Sequence, residues 1–371
     1  MRHKPNLPMF LALLVCILLP SCGGGGGGNQ NQPLSKIGTL IGADFASTHS
    51  VDVMTIFSDG TIASVPGSPF VTSGPPAAVA ASASSGLVFV ACDTGNISGS
   101  LSVFKISASG ALSSTGPPIT SDIVVPLTLS LTASDNFLLV NNGNFSPVIF
   151  GVDTATGALT ELSNLGANGS SAFDPNGNFI LFVDGSYLNS YSFNSSTGTP
   201  TLVSSAFDFF ETLPTPPIVH ASGKFVYVPY SSAGGPPGGI AGFALATDGT
   251  LTILPSSPFA PGTNFGSPSL SGFNAAVIDP AGAHLYAESA TAVYAFTIDQ
   301  SSGTLTPIAG AFPFTSGSPL ALAFDPSGRY LFVSQLGAIW SYSVGSDGVP
   351  TLVRASPFAI GQEVTSLVAV P

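Results

Sequence analysis

Positive charge is nearly missing from this 371-residue chain. It has seven Lys and Arg against nineteen Asp and Glu, a net charge of −12 and a pI near 4.3. Two of the seven, Arg2 and Lys4, sit at the start; the rest are Lys36, Lys105, Lys224, Arg329 and Arg354, scattered along the chain. Phosphate backbones are held by clustered Lys and Arg, so a nucleic-acid partner is excluded. The acidic body also disfavours a phosphorylated small molecule. Charged residues of either sign are only 7%, which leaves no room for a long surface helix faced with Lys and Glu and points to strands and turns. Cysteine is scarce too: Cys16, Cys22 and Cys92 show no CxxC or Cys/His spacing, so no metal site and no cofactor is expected. The apolar run near the start, Met9 to Leu19, is eleven residues long, too short to span a bilayer as a helix.

What the chain has instead is Gly (43), Pro (32), Phe (27) and a repeated phrase. "SDGTIASVPGSPF" begins at Ser58, "TDGTLTILPSSPF" at Thr247 and "SDGVPTLVRASPF" at Ser346. The turn that opens each phrase recurs as a pair ending in Gly60, Gly110, Gly157, Gly198, Gly249, Gly303 and Gly348, spaced 41 to 54 residues apart. Glycine supplies the positive φ of a tight hairpin, and Asp, Ser or Thr bonds into the turn. An alternating strand such as "LSVFKIS" precedes each turn, and a weaker strand follows. Upstream lies strand, Asp-Pro-x-Gly turn, strand, as in "LAFDPSGRYLFVS". Four short antiparallel strands in about 45 residues is the period of a propeller blade. Seven turns predict an all-β, seven-bladed β-propeller over residues 37–371. The first unit lacks an inner strand and "VTSLVAVP" from Val364 is a surplus one, so the C-terminal strand is expected to complete the first blade. Pro-Phe is expected to help the chain leave one blade for the next, with Phe filling the gap between them.

The N-terminus gives an address. A basic start and the apolar run read as a signal peptide. They end in Leu19-Pro20-Ser21-Cys22, which resembles the lipobox of bacterial lipoproteins. That resemblance implies removal of residues 1–21 and acylation of Cys22. Residues 22–36, with six consecutive glycines, form a tether; eleven such residues average about 18–20 Å end to end. The expected location is therefore the bacterial cell envelope, facing the periplasm or the exterior, with the membrane as a partner through the lipid on Cys22.

"FDPSGRYLFVS" and "DGTLTILPSSPF" resemble the phrases of the lactonase, or 6-phosphogluconolactonase-like, propeller family, over roughly residues 37–371. The resemblance implies enzymes that open cyclic esters of sugars or acids, with His, Arg and acidic groups at the mouth of the central channel. Ring opening needs a base for water and a cation or N–H pair for the oxyanion. Here His220 aligns with Asp325 in the Asp-Pro-x-Gly turn, away from the mouth. His284 and Arg329 lie beside the same turn, and Arg354 lies on an outer strand. His49 alone is placed to reach the mouth, and a solvated loop position accounts for it. No catalytic residue is carried over.

Residues just past the second strand of each blade face the mouth: Asp44, Asp93, Asn142, Asp184, Tyr230, Glu288 and Gln335. Such a rim suits a sugar, a cation or a polar peptide. Asp174, Asp279 and Asp325 are expected to cap their own turns. The glycine-rich insertion after Tyr230 reads as a mouth loop, and "FDFFE" at Phe207 to Glu211 as interblade packing or a lip of the mouth. The leading functional reading is a monomeric, lipid-anchored binding or scaffold protein that takes a small molecule, glycan or protein at the mouth. The alternative is a lactonase-type hydrolase.

Overall fold

The computed structural model describes residues 34–371 apart from 46–48, 121, 186, 208–214, 231–238, 260–275, 289–291, 312–318 and 361–362. The signal segment, Cys22, most of the glycine-rich insertion and nearly all of the "FDFFE" cluster lie outside the described residues.

The chain forms seven antiparallel sheets, each built on a path of four strands. Blades two to seven are each continuous in sequence; blade two, for instance, runs Pro76–Ala81, Leu87–Asp93, Gly99–Ile106, Leu112–Ser114. Blade one is assembled from both ends of the unit: Val364–Val370 is its inner strand, followed by Lys36–Asp44, Ser50–Phe57 and Ile62–Ser64. Thr39 pairs with Val370 and Asp44 with Val364, antiparallel. Val364–Val370 also neighbours the inner strands of blades two and seven, Pro76–Ala81 and Ala321–Phe324, which closes the ring.

Middle strands read as unbroken apolar runs because both of their faces are covered, as in any sheet packed between two layers. In Leu87–Asp93 the alternation splits the run: Leu87, Phe89 and Ala91 face blade three, while Val88, Val90 and Cys92 face blade one. The core is accordingly seven separate clusters, one at each interface between neighbouring blades.

The turn glycines do two things. Each has positive φ, from 69° at Gly198 to 90° at Gly249. Each also packs on the preceding blade, so Gly303 lies against Phe225, and Gly60 carries the contact across the ring closure to Tyr330 of blade seven. Several turn-glycine carbonyls accept a hydrogen bond from that preceding blade, among them Gly303 from the Tyr227 hydroxyl at 2.7 Å and Gly60 from Ser341 at 2.7 Å.

The repeated Ser-Pro-Phe has a different task from the one expected of it. It does not take the chain out of the blade; it brings the chain back. After Ile62–Ser64 the outer strand breaks, and Phe70–Val71 returns to pair with the same neighbour, Val51 opposite Phe70. Phe358 returns to Ile339 and Phe259 to Ile240 in the same way. The break leaves one backbone N–H of the third strand without a ladder partner, and a buried N–H must find one. The serine supplies it: Ser68, Ser257 and Ser356 each accept from that N–H, on Val53, Gly242 and Ser341, at 2.9 Å in all three cases. The phenylalanine does fill interblade space; Phe259 is buried in the cluster between blades five and six. Ser257→Ala should therefore cost about 1–2 kcal/mol, the loss of one partly buried hydrogen bond. A chemical-denaturation midpoint equal to that of the unsubstituted protein would disprove this role.

Candidate functional site

Strand order places the site. In each blade the second strand runs toward one end of the ring, and Asp44, Asp93, Asn142, Asp184, Tyr230, Glu288 and Gln335 are the last residues of the seven second strands. Sequence periodicity selected these positions. Their burial is a separate matter, because the side chain of a strand's last residue still turns toward a neighbouring blade. Asp44, Asn142, Tyr230, Glu288 and Gln335 are buried, and only Asp93 and Asp184 are half-open.

Several of them hold backbone. Asn142 donates to the carbonyls of Asp122 (2.8 Å) and Ser146 (3.2 Å) and accepts from Val124 N–H (3.2 Å), pinning the link between blades two and three. Asp44 accepts from Glu363 N–H at 3.1 Å, where the closing strand enters. Asp93 caps its own turn by accepting from Gly95 N–H at 2.8 Å.

Two acids are left with unsatisfied oxygens in low-dielectric surroundings. Both carboxyl oxygens of Glu288 are buried without a hydrogen-bond partner among the described residues, and burial pushes its pKa well above the usual carboxylate range. One oxygen of Asp184 is likewise buried without a partner among the described residues, and burial raises its pKa.

A further acid is Asp52, which the sequence reading did not select. It lies opposite Gly42 on the strand beside Asp44, and one of its oxygens is buried with no hydrogen-bond partner among the described residues. Burial first, and the charge of Asp44 second, raise its pKa to about 6. The signal was available: an acid inside the apolar run "SVDVMTIF". A carboxyl whose folded pKa is raised binds its proton more tightly in the native state. Its stabilising effect is complete below about pH 4 and is lost as pH rises through about 6. Asp52→Asn should thus be about 1–2 kcal/mol more stable than the unsubstituted protein at neutral pH, allowing for solvent screening, with the gap closing toward about pH 4. Denaturant melts across that range test it, and a gap that does not change with pH would refute it.

No Lys or Arg among the described residues offsets these acids. Among the described residues, Lys36, Lys105, Lys224 and Arg329 all sit at the opposite end of the blades, where second strands begin and third strands end, and Arg354 follows an outer strand on the flank. Asp44, Asp52, Asp93, Asp184, Glu288 and Glu363 are at the mouth end. The central channel holds a cavity of about 240 Å³ lined by hydroxyl, proline and apolar residues such as Thr128, Ser171, Pro216 and Ile218, with no ionisable group among its described lining residues. No group of three or more His, Cys, Asp or Glu able to hold a metal ion occurs among the described residues.

The Asp-Pro-x-Gly acids, His220 and His284 are structural. Asp325 accepts from Tyr330 N–H (2.6 Å) and Ser327 N–H (3.0 Å), and Asp174 from Phe179 N–H (2.6 Å). His220 takes the place of such an aspartate. Its Nδ1 accepts from Ser222 N–H at 3.1 Å, so Nε2 carries the proton and donates to the Gly282 carbonyl of blade six at 2.9 Å. His284 Nδ1 is 2.9 Å from Asp279. His49 is exposed beside the mouth.

No protein-family model matches the chain, and no curated protein sequence matches it. Solved structures do. The periplasmic gluconolactonase of Pseudomonas aeruginosa is 18% identical, with 91% of this chain and 99% of that one covered at a TM-score of 0.75. A Bacteroides uniformis protein provisionally assigned as a 6-phosphogluconolactonase is 16% identical over 90% and 99%, TM-score 0.76. A Bacteroides fragilis protein with the same provisional assignment is 18% identical over 90% and 98%, TM-score 0.74. At such identity the likeness is one of fold.

Proposed function

We propose that this protein is an extracytoplasmic, lipid-anchored propeller that binds a polar ligand without phosphate at its acidic mouth. The observation that carries the reading is the separation of charge: acids and amides end the second strands at one end of the ring, while no described Lys or Arg lies there. A field of one sign selects neutral polyhydroxyl or cationic ligands and repels phosphate esters. The periplasmic setting of one structural neighbour supports the envelope location, as does the sequence around Cys22.

The second reading, a hydrolase of sugar or acid lactones, is favoured by the gluconolactonase among the neighbours. Its difficulty is chemical. The described mouth and channel offer acids but no paired base and cation for water and oxyanion.

One set of measurements separates the two. Thermal shift and calorimetric titration with neutral sugars, lactones, a phosphorylated sugar and Ca²⁺ are run beside an assay of lactone opening. Saturable binding of a neutral or cationic ligand, weakened by Asp93→Asn, with no lactone consumed, supports the binding reading. Catalytic turnover of a lactone overturns it in favour of the hydrolase. For the anchor, a fatty-acid label should appear on the full chain and vanish in Cys22→Ala.

A further inference from the structure

The interblade seam between blades three and four differs from most of the others. At the seams from blade two to three, four to five, five to six, six to seven and seven to one, the turn glycine of the later blade closes over the first residue of the earlier blade's second strand: Leu87, Phe179, Phe225, His284 and Tyr330. At blade four that glycine, Gly198, packs instead on Leu162 of blade three's outer strand, and its carbonyl accepts from Ser163 at 2.7 Å. Phe137, which begins blade three's second strand, is thereby left without this cover. It lines a cleft of about 800 Å³ at the end of the ring opposite the mouth.

The lining is chemically distinctive. Phe137 is half-buried, its ring held edge-on to Phe193 at 4.8 Å. Around it stand Asn136, Asn176 and Asn178, all exposed, whose side-chain amides have no hydrogen-bond partner among the described residues. Asp153 uses one oxygen to accept from Ala155 and Thr156 N–H in its own turn, and Ser195 adds an exposed hydroxyl from blade four. No Lys, Arg or His lines the cleft.

A planar amide offers a donor and an acceptor side by side, which matches two vicinal hydroxyls of a sugar. An aromatic ring beside such amides takes the C–H face of a pyranose. The volume lies within the usual range for small-ligand sites, about 300–1,000 Å³. One carboxylate and no cation give no reason to hold an anion. We propose that this cleft is a binding site for a neutral mono- or disaccharide, separate from the mouth and independent of what the mouth binds.

The test uses the full chain in detergent, with saturation-transfer NMR and calorimetric titration against a panel of neutral pyranose mono- and disaccharides and their uronic-acid and sugar-phosphate counterparts. At least one neutral sugar should bind. Asn136→Ala and Asn178→Ala, both at exposed positions, should each weaken it about tenfold, the loss of one to two hydrogen bonds, with unchanged melting temperatures. The charged counterparts should bind more weakly. The proposal fails if no neutral sugar binds, if the charged sugars bind equally well, or if binding is untouched by the asparagine variants and falls with Asp93→Asn, which would move the sugar to the mouth.

Discussion

A chain ending at Glu363 should not form a closed, monomeric ring. The missing strand buries Val364 and Leu367 against blade seven and Val370 against blade two, each such side chain contributing roughly 1.5–3 kcal/mol. It also pairs with blade one from Thr39 to Asp44, at about 1 kcal/mol net per hydrogen bond. It also hydrogen-bonds to both neighbours: the Ser366 hydroxyl accepts from Val79 N–H at 3.2 Å in blade two, and the Val364 carbonyl accepts from the Ser334 hydroxyl at 2.8 Å in blade seven. Together these losses rival the whole stability of a typical domain, about 5–15 kcal/mol. The edge of blade one's next strand, Lys36–Asp44, would then be unpaired, and such an edge invites aggregation. The truncated protein should scatter light and lose its cooperative melt, whereas a chain starting at Leu34 should melt like the full-length protein. A soluble, monomeric form ending at Glu363 and melting within a few degrees of the intact chain would refute the closure.

Alanine at Gly303 should destabilise the protein by about 2–4 kcal/mol, against about 1 kcal/mol for alanine at Gly337. The two glycines have nearly the same φ, +73° and +75°, so the backbone penalty for a side chain is shared. At Gly337 nothing lies within 4 Å of the added carbon. At Gly303 it would run into the ring of Phe225, itself buried, while the neighbouring Tyr227 hydroxyl holds the Gly303 carbonyl in place. The difference between the two variants isolates packing between blades five and six. Equal losses in denaturant melts would mean that the turn glycines serve only their own hairpins.

Most of the candidate site's placement could be read along the chain, whereas its state could not. The period that found the blades also found the seven strand-terminal residues, because each position is fixed relative to its own turn. Whether Glu288 is an open rim acid or a buried carboxyl depends on the blade that packs beside it. Asp52 was passed over for the same reason: its strand is regular, and only its burial and the neighbouring charge of Asp44 distinguish it.

The sequence by itself determined the blade: four strands, a glycine hairpin, an Asp-Pro-x-Gly turn, and the displaced strand that closes the ring. These are local signals, written within about 45 residues and repeated, so hydrophobic alternation and turn chemistry suffice. Tertiary structure decided the contacts that strand patterning leaves open, within a blade and between blades. It turned Ser-Pro-Phe into a return to the same sheet, with the serine capping an N–H that has no ladder partner. It set the turn glycine of one blade against the side chain of another, and shifted that contact at Gly198 so that Phe137 lines a cleft. The contacts between blades join residues tens to hundreds of positions apart, and their geometry follows from how neighbouring sheets pack, which no single repeat encodes.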